Sequence, residues 1–542
     1  MKRISTLLLA LALQLGALAP LQAQNWDFIK KLGSSDQQPG DNLGISVAIS
    51  DSFLVAGAWW ADLVIDPIGF ISSPGAVYSY KLQPNGTWVE LQKLISIAPE
   101  ALGYFGFYVE IFEDHLLVGA INEDHSGLQD AGKVYAYHLD SDDQWVLDDV
   151  LMADEPGNGD YFGTNLGFYG DYAFIGAPYH DYDEQGNNFL AQAGAAYIFK
   201  RQPNNQWQQV RKLVAPDREE DNFLGKNVDI GNRGLIFGAY KKDLGFSPLE
   251  CGAAYGIYFD DLQTLNFDNV TSADLDKITP ADQQNFESFG WDVAISGRWA
   301  VAGKSGETDQ PGGGSGSGTG AAYFFYWENG QWVEKQKVYA SDFSDFGRFG
   351  RAISIDGPIC VIGSGTESED ENGQNFVSAA GAAYIFELQP NQQWQEVRKI
   401  TGTQRNIGDL FGEDAIDLSG TNLVVGAWLA DTIDGTVVTD GGAVYVYKRD
   451  APLISTREIP LLKHISILNN PSSGLLQLRN DSGESYPAAV SVFSLEGRTQ
   501  FQTSIEFGPS WQRDLSGLPT GIYLVQVRRE GYLPQSWKWV KL

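Results

Sequence analysis

The sequence predicts an all-β chain: a seven-bladed β-propeller followed by a small C-terminal β-sandwich. Three observations carry this reading. A unit of four short apolar strings recurs seven times, an orphan string ahead of the first unit completes the last, and the acidity of the repeats stops near residue 450. In the first copy the strings are LGISVAI (43–49), LVAGA (54–58), GAVYSY (75–80) and WVELQKL (88–94). The glycines marking the first string are Gly44, Gly106, Gly163, Gly225, Gly290, Gly350 and Gly412, spaced 57 to 65 residues apart. Such a span holds four strands of about five to six residues with their turns, and four-stranded units repeated about an axis make a propeller.

Each string has a physical reason to be a strand. VAI, VEI, VDI and ISI alternate apolar with small or polar residues, the period of two expected where the two faces meet different surroundings. LVVGA and its counterparts are nearly continuous apolar, as for a strand buried on both faces. Tyr78, Tyr135, Tyr197, Tyr255, Tyr323, Tyr384 and Tyr445 keep one place in all third strings, suiting rings packed against the next sheet. The glycine beside them permits close backbone approach. No Trp string follows GAVYVY (442–447), yet WDFIKKL (26–32) precedes the first unit with the Trp-to-Leu spacing of WVELQKL. Residues 26–32 are therefore expected to form the outer strand of the last blade, closing the ring and hiding its edges.

The N-terminus reads as a secretory signal over 1–23: Lys2 and Arg3, an apolar run from Leu7 to Ala19, then Leu-Gln-Ala ending at Ala23. The run is shorter than the roughly 20 residues that span a bilayer, so export with removal of 1–23 is expected, and no membrane span. The 542 residues carry a formal net charge of −32, or −34 once Lys2 and Arg3 are removed. Such a surface repels nucleic acid and anionic membranes. Cys251 and Cys360 fall in different blades, which gives no reason to pair them. The five histidines are scattered, and HExxH, GxSxG and P-loop patterns are absent. No catalytic residue, metal or cofactor is expected.

Strand parity places the binding face. Connections from second to third strand, and from the fourth strand to the next blade, emerge on one side of an up-and-down blade. There the loops are long and uneven, as at 59–74, 178–193, 304–319, 364–380 and 428–440; on the other side they are tight, as at Ser50–Asp51 and Asp356–Gly357. Variable loops on a rigid scaffold are where binding resides. Trp59, Trp60, Tyr179, Tyr240 and Trp428 follow the second strand closely, and Asp181 belongs to a set of loop carboxylates with Asp62, Asp124, Asp243, Asp309 and Asp431. Rings beside carboxylates suit sugars, by stacking and by accepting hydroxyl hydrogens. An Asp repeated in nearly every blade has the simpler task of tying its own loop by accepting backbone N–H bonds, which makes the irregular aromatics the better candidates.

The repeats resemble FG-GAP repeat proteins, the propeller family that includes the integrin α head: FG stands at 105–106, 162–163, 289–290 and 411–412, and GAP at 176–178. Copies at 43–44 and 224–225 have LG, and the fourth unit has FDDLQTLNF (259–267) where the outer-strand Trp is expected. Integrin-like members carry a DxDxDG calcium loop between first and second strands, but here those connections read ISDSFLV, IFEDHLLV, ISGRWAV and LSGTNLVV. None supplies the six or more oxygens that calcium takes, so the resemblance is to a metal-free variety; YHDYDEQGN (179–187) is the remaining acidic loop with cation-binding composition.

Residues 24–450 form the expected propeller, and 451–463, with Pro452 and Pro460, a linker. The segment 464–542 is alternating strands bounded by Pro, Gly and Asn turns, which reads as a β-sandwich. Its blocks ILNNPSSGLLQL, VSVFSLEGR, LSGLPTGIYLVQV and the terminal KWVKL resemble the C-terminal sorting domain of type IX secretion. That resemblance implies handling by the type IX machinery and delivery to the outer-membrane surface or the extracellular space. The expected function is binding or adhesion at the cell surface, with a glycan or protein held on the long-loop face. An extracellular glycan hydrolase using loop carboxylates and a structural part of a surface assembly are the alternatives.

Overall fold

In the computed structural model, residues 26–449 are described apart from 66–68, 244–249, 260–266, 311–313, 316–317 and 434–435. Towards the C-terminus it describes 465–467, 474–480, 486–494, 499–508, 510–528 and 535–541. The expected signal segment, residues 24–25 and the expected linker lie outside the described residues. Contacts divide the chain into two compact units between residues 452 and 453.

Seven antiparallel sheets of four strands make the first unit. Blade 1 is Leu43–Ile49, Phe53–Ala58, Ala76–Leu82 and Trp88–Leu94. Blades 2 to 6 repeat the order from Phe105–Phe112, Leu166–Tyr169, Val228–Gly231, Phe289–Ser296 and Ile353–Asp356. Blade 7 takes Ile416–Ser419, Asn422–Ala427 and Ala443–Arg449 from the end of the repeats and Trp26–Leu32 from their beginning. Trp26 pairs with Arg449 and Leu32 with Val444, the register of Trp207 with Arg201 and Leu213 with Ala196 in blade 3.

The motif glycines are the points where one blade meets the next. A Cβ on Gly303, in the second strand of blade 5, would lie 1.8 Å from the carbonyl oxygen of Gly350 in blade 6, and all seven blades repeat the contact at 1.8 to 2.3 Å. The glycine ahead of each third strand meets the Phe or Leu of the next motif in the same way: Gly75 at 2.1 Å from the Phe105 oxygen, with φ +85°. Around these contacts the second strands are buried along almost their whole length, and the seven third-strand tyrosines are at most 1% exposed.

Every third-to-fourth strand pair except that of blade 4 carries a register shift, as at Ser79/Tyr80. Blade 4 departs because its outer strand is only Asp276–Ile278, pairing Tyr255 with Lys277 and Ala254 with Ile278. The described outer strand there is the DKI string, and of 259–267 only Phe259 and Phe267 lie among the described residues. Phe267, buried on a one-turn 3-10 helix, packs on Tyr172 of blade 3 at 4.9 Å. Trp145 meets Phe53 of the preceding blade in the same manner, and Trp394 meets Trp299, so Phe267 takes the packing place of the missing tryptophan.

The second unit holds a three-stranded sheet of Ile465–Ile467, Leu475–Asn480 and Ser510–Asp514, and a four-stranded sheet of Thr499–Phe507, Tyr486–Ser494, Gly521–Arg528 and Gln535–Lys541. Leu476 and Leu478 of the first join Val490, Val492, Val525 and Trp539 of the second in one core.

Candidate functional site

Each innermost strand begins on the long-loop face and runs along the axis, so alternate residues after the motif glycine point into the lumen. Two cavities lie on the axis. One, of about 330 Å³, opens at the long-loop face; the other, of about 370 Å³, lies towards the tight hairpins, and Tyr108 and Asp292 line both.

All seven blades contribute to the mouth cavity. Trp59 of blade 1 and Trp428 of blade 7 form part of its wall, each the first residue past the second strand. The remainder comes from residues one or two positions past the motif glycine, among them Phe107, Asn165, Lys226, Asn227, Trp291 and Arg351. Asn165 donates to Asn227 at 2.8 Å and accepts from the Val228 N–H at 3.0 Å. Asn227 donates in turn to the Trp291 carbonyl, so a chain of amides fixes three blades at the mouth.

Aromatic rings extend outward from this cavity. Trp59 contacts Trp60, Tyr104 and Phe107 at centroid distances of 5.5, 4.9 and 5.4 Å. A second arc runs Tyr161, Tyr179, Phe223, Tyr240, Trp291, with neighbours 4.8 to 5.7 Å apart. Tyr104, Tyr161 and Phe223 occupy the residue just before the motif, which has φ between 53° and 58° in all seven blades. Left-handed backbone costs a non-glycine residue about 1–2 kcal/mol, and the repeat imposes it seven times.

Of the sequence candidates, Trp59 and Trp428 line the mouth, Tyr240 and Tyr179 stand in the second arc, and Trp60, 44% exposed, lies beside Trp59. Asp181 has a different task. Its carboxylate accepts the Gln192 N–H at 2.8 Å and closes its own loop. Asp62, Asp124, Asp243 and Asp431 do the same for Ser73, Asp130, Glu250 and Asp440, and Ser368 substitutes in blade 6 by accepting from Ala379. In the loop 179–187, Asp183 accepts from the Gln185 and Asn187 N–H groups and from the Asn188 amide. Among the described residues no group of three His, Cys, Asp or Glu side chains is arranged to hold a metal. Cys251 and Cys360 are both buried and free.

Sequence reasoning missed Phe107, Lys226, Trp291 and Arg351. Their signal is present in the sequence: each is the residue immediately after a motif glycine, a place that varies as Ile, Phe, Thr, Lys, Trp, Arg and Glu around the ring.

The lumen below the mouth is acidic. Asp229, Asp292 and Asp417 each accept two backbone N–H bonds, one from their own strand and one from the next blade: Ile295 at 2.7 Å, Ile353 at 2.6 Å and Ile49 at 2.7 Å. Each thus covers the exposed edge of its neighbour. Burial pushes their carboxyls up, to about 7 for Asp229, about 8 for Asp292 and about 6 for Asp417.

Comparison with known proteins agrees with this architecture. The FG-GAP repeat model matches seven times, at 26–80, 88–137, 145–199, 207–258, 273–325, 332–386 and 394–447. The chain belongs to the FG-GAP repeat family. Each match begins within a few residues of the start of an outer strand and ends in the third strand of the following blade, in keeping with closure of the ring through residues 26–32. Residues 466–541 match the secretion system C-terminal sorting domain, which marks the protein for export to the cell surface or the extracellular space. No curated protein sequence matches the chain. A solved structure, the periplasmic gluconolactonase of Pseudomonas aeruginosa, aligns with 71% of this chain and 93% of its own at 11% identity, with a TM-score of 0.43. No described helix is long and apolar enough to cross a membrane.

Proposed function

We propose that this is an exported binding protein that captures glycans at the axial mouth of the long-loop face. The observation that carries the reading is the mouth cavity: about 330 Å³, walled by Trp59, Trp291 and Trp428, with amide and charged groups between them. Small-ligand sites fall at roughly 300–1,000 Å³ and combine apolar walls with a few polar groups that set orientation. Indole faces beside hydrogen-bonding side chains suit the apolar face and the hydroxyls of a pyranose.

The rim supports the same side of the molecule. Val64, Phe70, Leu102, Phe286, Phe346 and Phe376 are exposed large apolar residues in long-face loops, whereas the described tight hairpins of the other face expose none. Exposed apolar side chains offer contact to a partner, so a larger glycan or a glycosylated protein would find further contact there. Binding, and not turnover, is proposed because the mouth carboxylates are engaged: Asp292 by two backbone N–H groups and Asp414 by Arg351.

The test is a glycan array probed with the purified protein, with EDTA and with the Trp59→Ala and Trp428→Ala variants. Binding is expected to survive EDTA and to weaken about tenfold or more in each variant. Cleavage of an arrayed sugar would make the protein a hydrolase, and silence across the array would leave a structural role.

A further inference from the structure

The mouth has two unlike walls. Trp428 and Trp59 belong to the adjacent blades 7 and 1, whereas Lys226 comes from blade 4, across the ring, and Arg351 from blade 6. Arg351 lies over the Trp291 ring at 4.5 Å and is held by Glu413 at 2.8 Å and Asp414 at 3.4 Å. Lys226 is different. Its ammonium stands 5.7 Å from the Phe107 centroid, and no ion pair or side-chain hydrogen bond joins it to another described residue. Burial lowers the affinity of this amine for its proton, a penalty that an anion in the cavity would reverse.

Asp414 and Asp292 favour the charged form of Lys226 and Arg351 opposes it, but none of the three forms an ion pair with it. Glu413 and Asp414 face Arg351 and Arg348, which balances two charges against two. Burial, with repulsion from Asp229 and Asp414, pushes Asp292 up to about 8, which weakens its negative charge at neutral pH. The protein as a whole is strongly acidic, but at physiological salt charges beyond about 8 Å are largely screened. The local cation decides what enters.

We infer that the axial mouth selects a carboxylated sugar, its ring against Trp59 and Trp428 and its carboxylate at Lys226. This rests on the glycan reading above and narrows it to acidic saccharides such as uronates and sialates. The carboxylate would gain a charge-assisted hydrogen bond in a site that already excludes much of the solvent, while the indoles supply contact common to neutral sugars.

Uronate and sialate oligosaccharides, each presented also as its methyl ester, separate the two readings, because the ester keeps the ring and removes the charge. Wild-type protein is expected to bind an acid about tenfold or more tightly than its ester. Lys226→Gln should erase that preference by weakening the acid about tenfold more than the ester, and Trp59→Ala should weaken both. Equal affinity for acid and ester in the wild type overturns this inference, and so does a folded Lys226→Gln protein that keeps the preference; the glycan reading then stands on the ester binding. Absence of binding to any acid, ester or neutral sugar overturns both. The wild-type comparison needs no variant to fold.

Discussion

Asp292 shows how a single lumen residue can be both seam and liability. Its two oxygens accept the Val293 and Ile353 N–H groups, joining blades 5 and 6 at the axis, yet burial pushes its carboxyl up to about 8 from an ordinary value of 3.8. An acid whose folded value is raised favours the fold most when protonated in both states. Its contribution is therefore complete below the unfolded value, is lost as pH rises from about 4 towards 8, and is constant above that. A protonated carboxyl keeps both bonds, since its hydroxyl oxygen still accepts while its proton points into the lumen. An amide cannot, because its NH₂ confronts one of the two N–H donors. Asp292→Asn should thus lower the melting temperature at pH 5, where the wild type is best served, and flatten its decline between pH 5 and 8. Parallel melting profiles for the two proteins across that range would contradict this account.

At the scale of the strand, glycine placement explains why the repeat tolerates so much change elsewhere. A Cβ on Gly303 would lie 1.8 Å from the Gly350 oxygen, and neither backbone can move without opening the seam between blades 5 and 6. Gly303→Ala should cost ~3 kcal/mol or more, at the upper end of overpacking penalties. Gly330 sits at φ +79° in a third-to-fourth strand turn with nothing within 4 Å of its would-be Cβ, so Gly330→Ala should cost only about 1–2 kcal/mol. Urea denaturation midpoints of the two variants, read against wild type, test the ordering; equal shifts would refute it. These elements are also the legible part of the sequence. Strand strings, blade number and hairpin faces can be read because each follows from residue type and period, and a sevenfold repeat averages out local ambiguity. Blade 4 escapes because Phe267 packs like the outer-strand Trp from a different backbone position, a substitution of packing role that no string records. The site is half legible. Trp59, Trp428 and Tyr240 stand out as irregular aromatics after a regular string, whereas Lys226 and Arg351 sit inside a strand motif where variation reads as noise until the axis brings seven such positions together.

For the propeller as a whole the decisive feature is that the ring is closed by its own N-terminal strand. Trp26 is fully buried beneath the Arg449 guanidinium, 5.9 Å from its ring, and Phe28 packs on Tyr445 and Tyr447. Without Trp26–Leu32 the third strand of blade 7 becomes an open edge, with its N–H and C=O groups offered to any other chain. A protein shortened to begin at Gly33 should therefore melt well below wild type and associate as concentration rises. The register also says how to repair it. Arg201 and Trp207 of blade 3 are paired as Arg449 and Trp26 are, and the loop 202–206 joins the blade 3 pair. Placing a copy of that loop and then of strand 26–32 directly after Arg449 in the shortened chain should rebuild blade 7 as a local hairpin, restoring the melting temperature to within a few degrees and the monomer in sedimentation. If the repaired chain stays open and associating, closure depends on something the N-terminal strand supplies besides its side chains and register. Recovery would show that the ring needs the strand and is indifferent to which end of the chain delivers it.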